Sequence, residues 1–236
     1  MSLRHSPLSI ARPGAAVHIR WSERADGDFH LERSTEALDA TRRQFVDLPW
    51  TQLDEVHGAT VRVVDRPGAF DGVIGDAMVT ELDDTVLGIW VGDCAPVALV
   101  GDTGVVGAVH AGWKGIERGV LQAAVATMRR LGCIDIEAVV GPCIHPCCYE
   151  FGAADLRRLA DLLGGNVVAR TSEGAPALDV VAAVRAALGE VGVVLEDRST
   201  CTGCGADRYY SHRARRDAGR QVMAVWRTAD VDGAVA

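Results

Sequence analysis

Val86-Leu87-Gly88-Ile89-Trp90-Val91, Val97-Ala98-Leu99-Val100 and Val105-Val106-Gly107-Ala108-Val109 are three successive apolar runs, and their reading decides the fold. Each has the length and the β-branched content of a buried strand and is too short for a helix. Gly101-Asp102-Thr103-Gly104 joins the last two and reads as a hairpin turn. Beyond them, apolar residues at 116, 120, 121, 124, 125 and 128 follow a helical period, which predicts a helix over 116–131 ending at Gly132. Ile136-Glu137-Ala138-Val139-Val140 is a further strand that runs into Gly141-Pro142. Outward from this centre, strands are expected at 16–21, 61–64, 76–80, 193–195 and 221–226. Helices are expected at 34–45, N-capped by Ser34, and at 153–163 and 178–188. No internal repeat, low-complexity tract or linker interrupts the pattern. The reading is an α+β fold, a single domain over 1–236 with mixed β-sheets flanked by helices, in which 1–50 is the least legible part.

The composition suits a globular enzyme, with 48% hydrophobic and 24% charged residues in 236. A formal net charge of −8 argues against a diffuse grip on nucleic acid but leaves room for a small anion in a local basic pocket. No run reaches the eighteen or so apolar residues needed to span a bilayer. Residues 1–13 mix arginines and prolines without an apolar core, unlike a secretory signal, so a cytoplasmic location is expected. Seven cysteines, an odd count in such a chain, argue for free thiols, metal ligands or a nucleophile over a disulfide framework.

The chemistry concentrates around the same strands. Asp93-Cys94-Ala95-Pro96 follows the first run and His110-Ala111-Gly112-Trp113-Lys114-Gly115 follows the third. His57, in Glu55-Val56-His57-Gly58, stands just before another strand. Three candidate ligands at element ends, far apart in sequence, are how a catalytic zinc site with an open position is built. The alternative is a metal-free Cys94 nucleophile with His110 as its base. Asp93 is a candidate acceptor that orients a ligating histidine. Lys114, the one lysine among 24 basic residues, lies at a strand-to-helix turn whose backbone amides suit an anion. Glu150, after the thiol-rich stretch Cys143-Ile144-His145-Pro146-Cys147-Cys148, is a candidate general acid or base. Cys143, Cys147 and Cys148 with Cys201 and Cys204 form a possible second metal set, disfavoured because their spacing fits no common zinc knuckle. Arginines crowd the C-terminal stretch, and Arg213 and Arg220 are candidates to clamp phosphate. Walker A, G-x-S-x-G and G-x-G-x-x-G sequences are absent.

His57-Gly58, Asp93-Cys94-Ala95-Pro96, His110 to Gly115, Gly141-Pro142-Cys143-Ile144 with Tyr149-Glu150, and Cys201-Thr202 with Tyr210-Ser211-His212-Arg213 and Gly219-Arg220 occur together in this order. Over roughly residues 50–226 the chain resembles the YfiH/DUF152 family, also called the polyphenol oxidoreductase or laccase-like family. The resemblance implies a zinc ion on His57, Cys94 and His110. It also implies purine nucleoside phosphorylase activity on adenosine, inosine and guanosine, and carries adenosine deaminase and methylthioadenosine phosphorylase activities with it. An older description of the family names copper, which one thiolate and two imidazoles suit less well than a multicopper enzyme requires. Glu55 stands where the family usually has Gln. The usual N-terminal Phe-Ser-x-Arg-x-Gly-Gly is reduced to Trp21-Ser22-Glu23-Arg24-Ala25-Asp26-Gly27, which leaves Arg24 as a candidate substrate contact. Nucleoside and phosphate are the expected partners, without nucleic acid or membrane, for a monomer or weak homo-oligomer. A nucleoside-binding module without turnover is the non-enzymatic alternative.

Overall fold

The computed structural model describes residues 6–229. Two sheets carry the fold. The first has the order β1 (Leu8–Arg12), β2 (Ala15–Trp21), β13 (Gln221–Ala229), β6 (Val86–Val91) and β3 (Trp50–Gln52). It is antiparallel except where β3 runs parallel to β6. The second has the order β12 (Val194–Asp197), β9 (Ile136–Val140), β7 (Ala95–Gly101), β8 (Val106–Ala111), β5 (Ala77–Thr80) and β4 (Val61–Val63). Its two outer pairs are parallel and its centre is antiparallel. A small hairpin, β10 (Val168–Arg170) with β11 (Pro176–Leu178), stands apart.

The period-2 alternation of a strand sorts each side chain to one face. In β7, Val97 and Leu99 face one buried cluster while Ala98 and Val100 face another. The second cluster also takes Leu87 and Ile89 of β6 and Met223 and Val225 of β13, so it is the layer between the two sheets. The first cluster takes α3 (Val120–Arg130), α4 (Ala153–Leu163) and α5 (Val180–Gly189) onto the outer face of the second sheet. A third, smaller cluster covers the outer face of the first sheet, where Phe45 of α1 (Thr35–Phe45) meets Trp50, Val222 and Trp226. The α+β reading with mixed sheets and outer helices stands.

Local signals placed many elements closely. The Ser34 hydroxyl accepts from the Ala37 amide at the start of α1, and the Gly101–Gly104 turn closes with Gly104 N–H donating to the Gly101 carbonyl at 3.0 Å. Two expectations need correction. The helix predicted over 116–131 is two helices, α2 (Trp113–Glu117) and α3, because Gly119 adopts φ 80° between them. Left-handed backbone is open to glycine, and the apolar period survives the break, so periodicity did not reveal it. The helix predicted from 178 starts at Val180, because Leu178 ends β11 and the Asp179 carboxylate accepts from the Ala182 amide as N-cap. Strands β1, β3, β10 and β11 and the short helix α6 (His212–Arg215) carried too little pattern to be predicted.

Candidate functional site

Cys94 and His110 share the parity of Ala98 and Ala108, the side chains of β7 and β8 that enter the layer between the sheets. They therefore meet at one end of that layer, where His57 arrives from the loop before β4. The candidate ligand atoms of His57, Cys94 and His110 all lie within 4.8 Å of one another. Cys94 Sγ is 3.7 Å from His57 Nε2, and the two imidazoles meet edge to face with centroids 4.8 Å apart. Gly112 makes room for this approach. A Cβ there would fall 2.6 Å from His57 Cδ2 and 3.2 Å from Cys94 Sγ.

The strain of the site is held by specific bonds. His57 has φ 57° and Asp93 φ 129°, conformations that non-glycine residues hold only when their surroundings over-determine them. For His57 the restraint is Asp76, whose carboxylate accepts from the His57 and Gly58 amides, each at 2.7 Å. For Asp93 it is a Thr202 hydroxyl and the Arg213 amide on its two carboxylate oxygens, both at 2.6 Å, together with Ile144 N–H on its carbonyl. Asp93 is thus the anchor of the C-terminal loop and does not orient a histidine, as the sequence suggested. That work falls to Asp76, which lies 3.0 Å from His110 Nδ1, with Glu55 on the same nitrogen at 3.5 Å.

Electrostatics follow from this packing. Burial opposes ionisation of Asp76, but the His110 hydrogen bond and the Gly58 and His57 amides hold its carboxyl below the usual value. Burial pushes Glu55 up to about 8 against the pull of His110. Burial likewise works against a charged His110, yet Glu55 and Cys94 hold its pKa well above the ordinary imidazole value. Burial would raise the Cys94 thiol; the charge and hydrogen bond of His110, with help from His57, instead bring it down to about 6. Two imidazoles and a thiol that ionises readily, converging on one point, fit the donor set of a zinc site with three protein ligands.

The three residues face a cavity of about 340 Å³, at the small end of the range for ligand pockets. Trp90, Trp113 and Tyr149 supply aromatic walls, and Glu55, His212, Arg213 and Arg220 supply polar ones. Arg213 lies over the Tyr149 ring at 4.8 Å and donates to the Glu150 carbonyl. Arg220 donates from Nη1 to the carbonyls of Asp217, Ala218 and Gly219. Three predicted site residues do not line this cavity. Lys114 is exposed, with Nζ 5.4 Å from the Trp113 ring centroid, and α2 is only one short turn, too brief for a helix-end anion site. Glu150 is exposed and contributes its carbonyl. Arg24 is held by Asp217, by the Tyr209 carbonyl and by the Tyr210 ring. Sequence reasoning missed Asp76, although an aspartate opening an otherwise apolar strand was a usable signal. It also missed Trp90, which has no motif of its own, and assigned no role to Tyr149, although Tyr149-Glu150 is among the stretches that carry the family resemblance.

The profile of the family described as "Multi-copper polyphenol oxidoreductase laccase" matches residues 22–228. The chain belongs to this family. Proteins similar to this chain carry a different description. A purine nucleoside phosphorylase of Streptomyces griseus is 37% identical over 179 residues, covering 74% of this chain and 72% of its own. One of Streptomyces coelicolor is 39% identical over 181 residues, covering 74% and 73%. One of Mycobacterium tuberculosis is 32% identical over 237 residues, covering 96% and 93%. Among solved structures, the YfiH protein of Bacillus licheniformis superposes with a TM-score of 0.79 at 24% identity, covering 89% of this chain and 92% of its own. YlmD of Geobacillus stearothermophilus superposes at 0.75 with 26% identity, covering 91% and 92%. The family fold is therefore that of the YfiH proteins. Among the described residues no helix is long and apolar enough to cross a membrane.

Proposed function

We propose that this family member is a zinc-dependent purine nucleoside phosphorylase acting on adenosine, inosine and guanosine, with residues 1–236 as a single domain. The observation that carries the reading is the meeting, in one cavity, of the His57–Cys94–His110 donor set with aromatic walls and two arginines. The names of the relatives support the reaction class. Zinc is the ion assigned here, because three protein ligands of His and Cys type with an open fourth position are the form of a catalytic zinc site. Bound there, the ion supplies Lewis-acid polarisation to the reacting group.

The protein's own residues do the rest. Trp90, Trp113 and Tyr149 offer flat apolar surface for the purine. Arg213 and Arg220 offer guanidinium groups to phosphate. In phosphorolysis a phosphate oxygen bonds to ribose C1′ as the bond from C1′ to the purine nitrogen breaks, and the purine takes up a proton. Phosphate is already an anion at neutral pH, so holding it under C1′ and stabilising the departing base are the main tasks. Glu55 is assigned as the proton carrier. Of the two carboxylates that line the cavity, Asp93 is tied to Thr202 and Arg213 at 2.6 Å on its two oxygens, whereas Glu55 accepts from the Trp90 amide at 3.0 Å on one oxygen and keeps the other 3.5 Å from His110 Nδ1.

A second activity, hydrolytic deamination of adenosine, is favoured by the same Glu55. Zinc deaminases place a non-ligating glutamate beside the metal as general acid and base, and Glu55 stands against His110 in that relation. Chromatography of inosine and adenosine reactions, with and without phosphate, tests both. Purine release from inosine is expected only with phosphate, and phosphate-independent release overturns the phosphorylase reading. Adenosine is expected to give inosine without phosphate. Full activity in zinc-free protein or in His57→Ala removes the metal from the mechanism, and copper-dependent phenol oxidation would return the reading to a laccase.

A further inference from the structure

Outside the pocket, the structure gathers a second set of sulfurs. Cys147 and Cys148 sit in the 3-10 turn Pro146–Cys148, and Cys201 and Cys204 bracket a C-x-x-C turn more than fifty residues later. Their four Sγ atoms lie within 4.8 Å of one another. Cys147 is 3.6 Å from Cys201 and 3.5 Å from Cys204, and Cys148 is 3.4 Å from Cys204. Four thiolates sharing one zinc at about 2.3 Å form a tetrahedron with edges of roughly 3.8 Å, close to these separations. A disulfide needs its sulfurs at about 2.05 Å. A four-iron cluster puts each thiolate on a separate iron and so spreads them further. Cys143, the fifth thiol of the region, is fully buried in the apolar core and takes no part.

The surroundings are built for such an ion. The amides of His145 and Cys204 both donate to Cys201 Sγ, which stabilises a thiolate. Arg215 donates to the carbonyls of Gly203 and Thr202 at 2.7 and 3.1 Å, placing a cation on the turn. Gly203 lets the two turns close, since a Cβ there would fall 2.6 Å from Cys148 Cβ and 2.8 Å from its Sγ.

We propose that Cys147, Cys148, Cys201 and Cys204 bind one structural zinc ion, separate from the ion at His57, Cys94 and His110. Loading forms four zinc–sulfur bonds and breaks four S–H bonds, whose protons pass to solvent; no electron is transferred. The ion clips together two loops that wall the cavity. One carries Tyr149, directly after Cys148. The other carries Thr202 and Arg213, which hold the Asp93 carboxylate. The sequence spacing concealed this set because a knuckle was split into an adjacent pair and a distant C-x-x-C, which only the fold brings face to face.

Elemental analysis of the purified full chain, with variants at each set, is the test. The wild type is expected to hold two zinc ions per chain, the Cys201→Ser/Cys204→Ser protein one, and His57→Ala one. On the wild type itself, a chromogenic disulfide reagent is expected to react slowly with these four thiols until a strong chelator strips the protein of zinc, after which all four react, together with Cys94 as the pocket ion is lost. That measurement holds even if a variant fails to fold. Retention of the wild-type zinc content in folded Cys201→Ser/Cys204→Ser protein, four freely reactive thiols in zinc-loaded protein, disulfides among these cysteines, or stoichiometric iron in place of zinc would each overturn the proposal. A single zinc that is lost with the cysteine pair but kept in His57→Ala would uphold the clip and sink the zinc reading of the pocket, so the two are separable.

Discussion

Asp76 receives the His57 and Gly58 amides on its two oxygens and faces His110 Nδ1 with one of them, so one buried carboxylate sets the position of two of the three candidate ligands. Partners of this kind around a metal usually contribute ten- to a hundredfold in affinity. Asp76→Asn is therefore expected to weaken zinc binding by about 10–100-fold, read by competition with a chromophoric chelator; unchanged affinity would deny it that role. Gly112→Ala isolates a steric effect at the same centre. Its φ of −71° suits alanine, so backbone strain is absent, but the new methyl group meets His57 and Cys94. The expected outcome is loss of bound metal with a far-UV circular dichroism spectrum like the wild type. At this scale the sequence singled out the candidate donors His57, Cys94 and His110, because ligand chemistry belongs to residue types. It did not reveal Asp76, whose importance is a matter of where its oxygens point.

At the scale of elements, the C-terminal loop before β13 is held by charge more than by apolar burial. Asp217 accepts from the Ser211 amide at 2.9 Å and from Arg215 at 3.0 Å, and pairs with Arg24. Burial opposes its ionisation, but the Ser211 amide, Arg24 and Arg215 hold its carboxyl below the usual range. A carboxyl with a depressed folded-state pKa binds fewer protons folded than unfolded. Its stabilisation is thus complete above the unfolded value of about 3.9 and is lost as pH falls through the folded value. The stability difference between wild type and Asp217→Asn, from urea unfolding, is expected to be level from pH 7 to about pH 5 and to shrink below about pH 4. A difference that grows in acid would contradict this linkage. The loop was opaque in the sequence because its structure comes from Asp–Arg and amide contacts between residues up to 193 positions apart, which no local period records. Helix α1, with its Ser34 cap, and helix α4, with its amphipathic stripe, were legible for the opposite reason.

For the whole molecule, the layer between the sheets is the structural spine, and the site hangs at its end. Ile89 of β6 is fully buried there. Ile89→Ala is expected to cost about 2–5 kcal/mol, while Ile134→Ala, at a side chain 79% exposed, should change stability by less than about 0.5 kcal/mol. Denaturant unfolding of both variants checks the contrast, and equal costs would place Ile89 outside a packed core. The short, continuously apolar runs 86–91, 97–100 and 105–109 determined that this chain makes strands, that they are buried, and that Cys94 and His110 lie at strand ends. Those are local properties of backbone geometry and side-chain type. Only the tertiary structure decided that two sheets stack face to face, that the candidate ligand atoms of His57, Cys94 and His110 lie within 4.8 Å of one another, and that Lys114, Glu150 and Arg24 stay outside the cavity. It alone brought four thiols from two remote loops to one point, because sequence distance carries no information about which turns a β-sandwich places side by side.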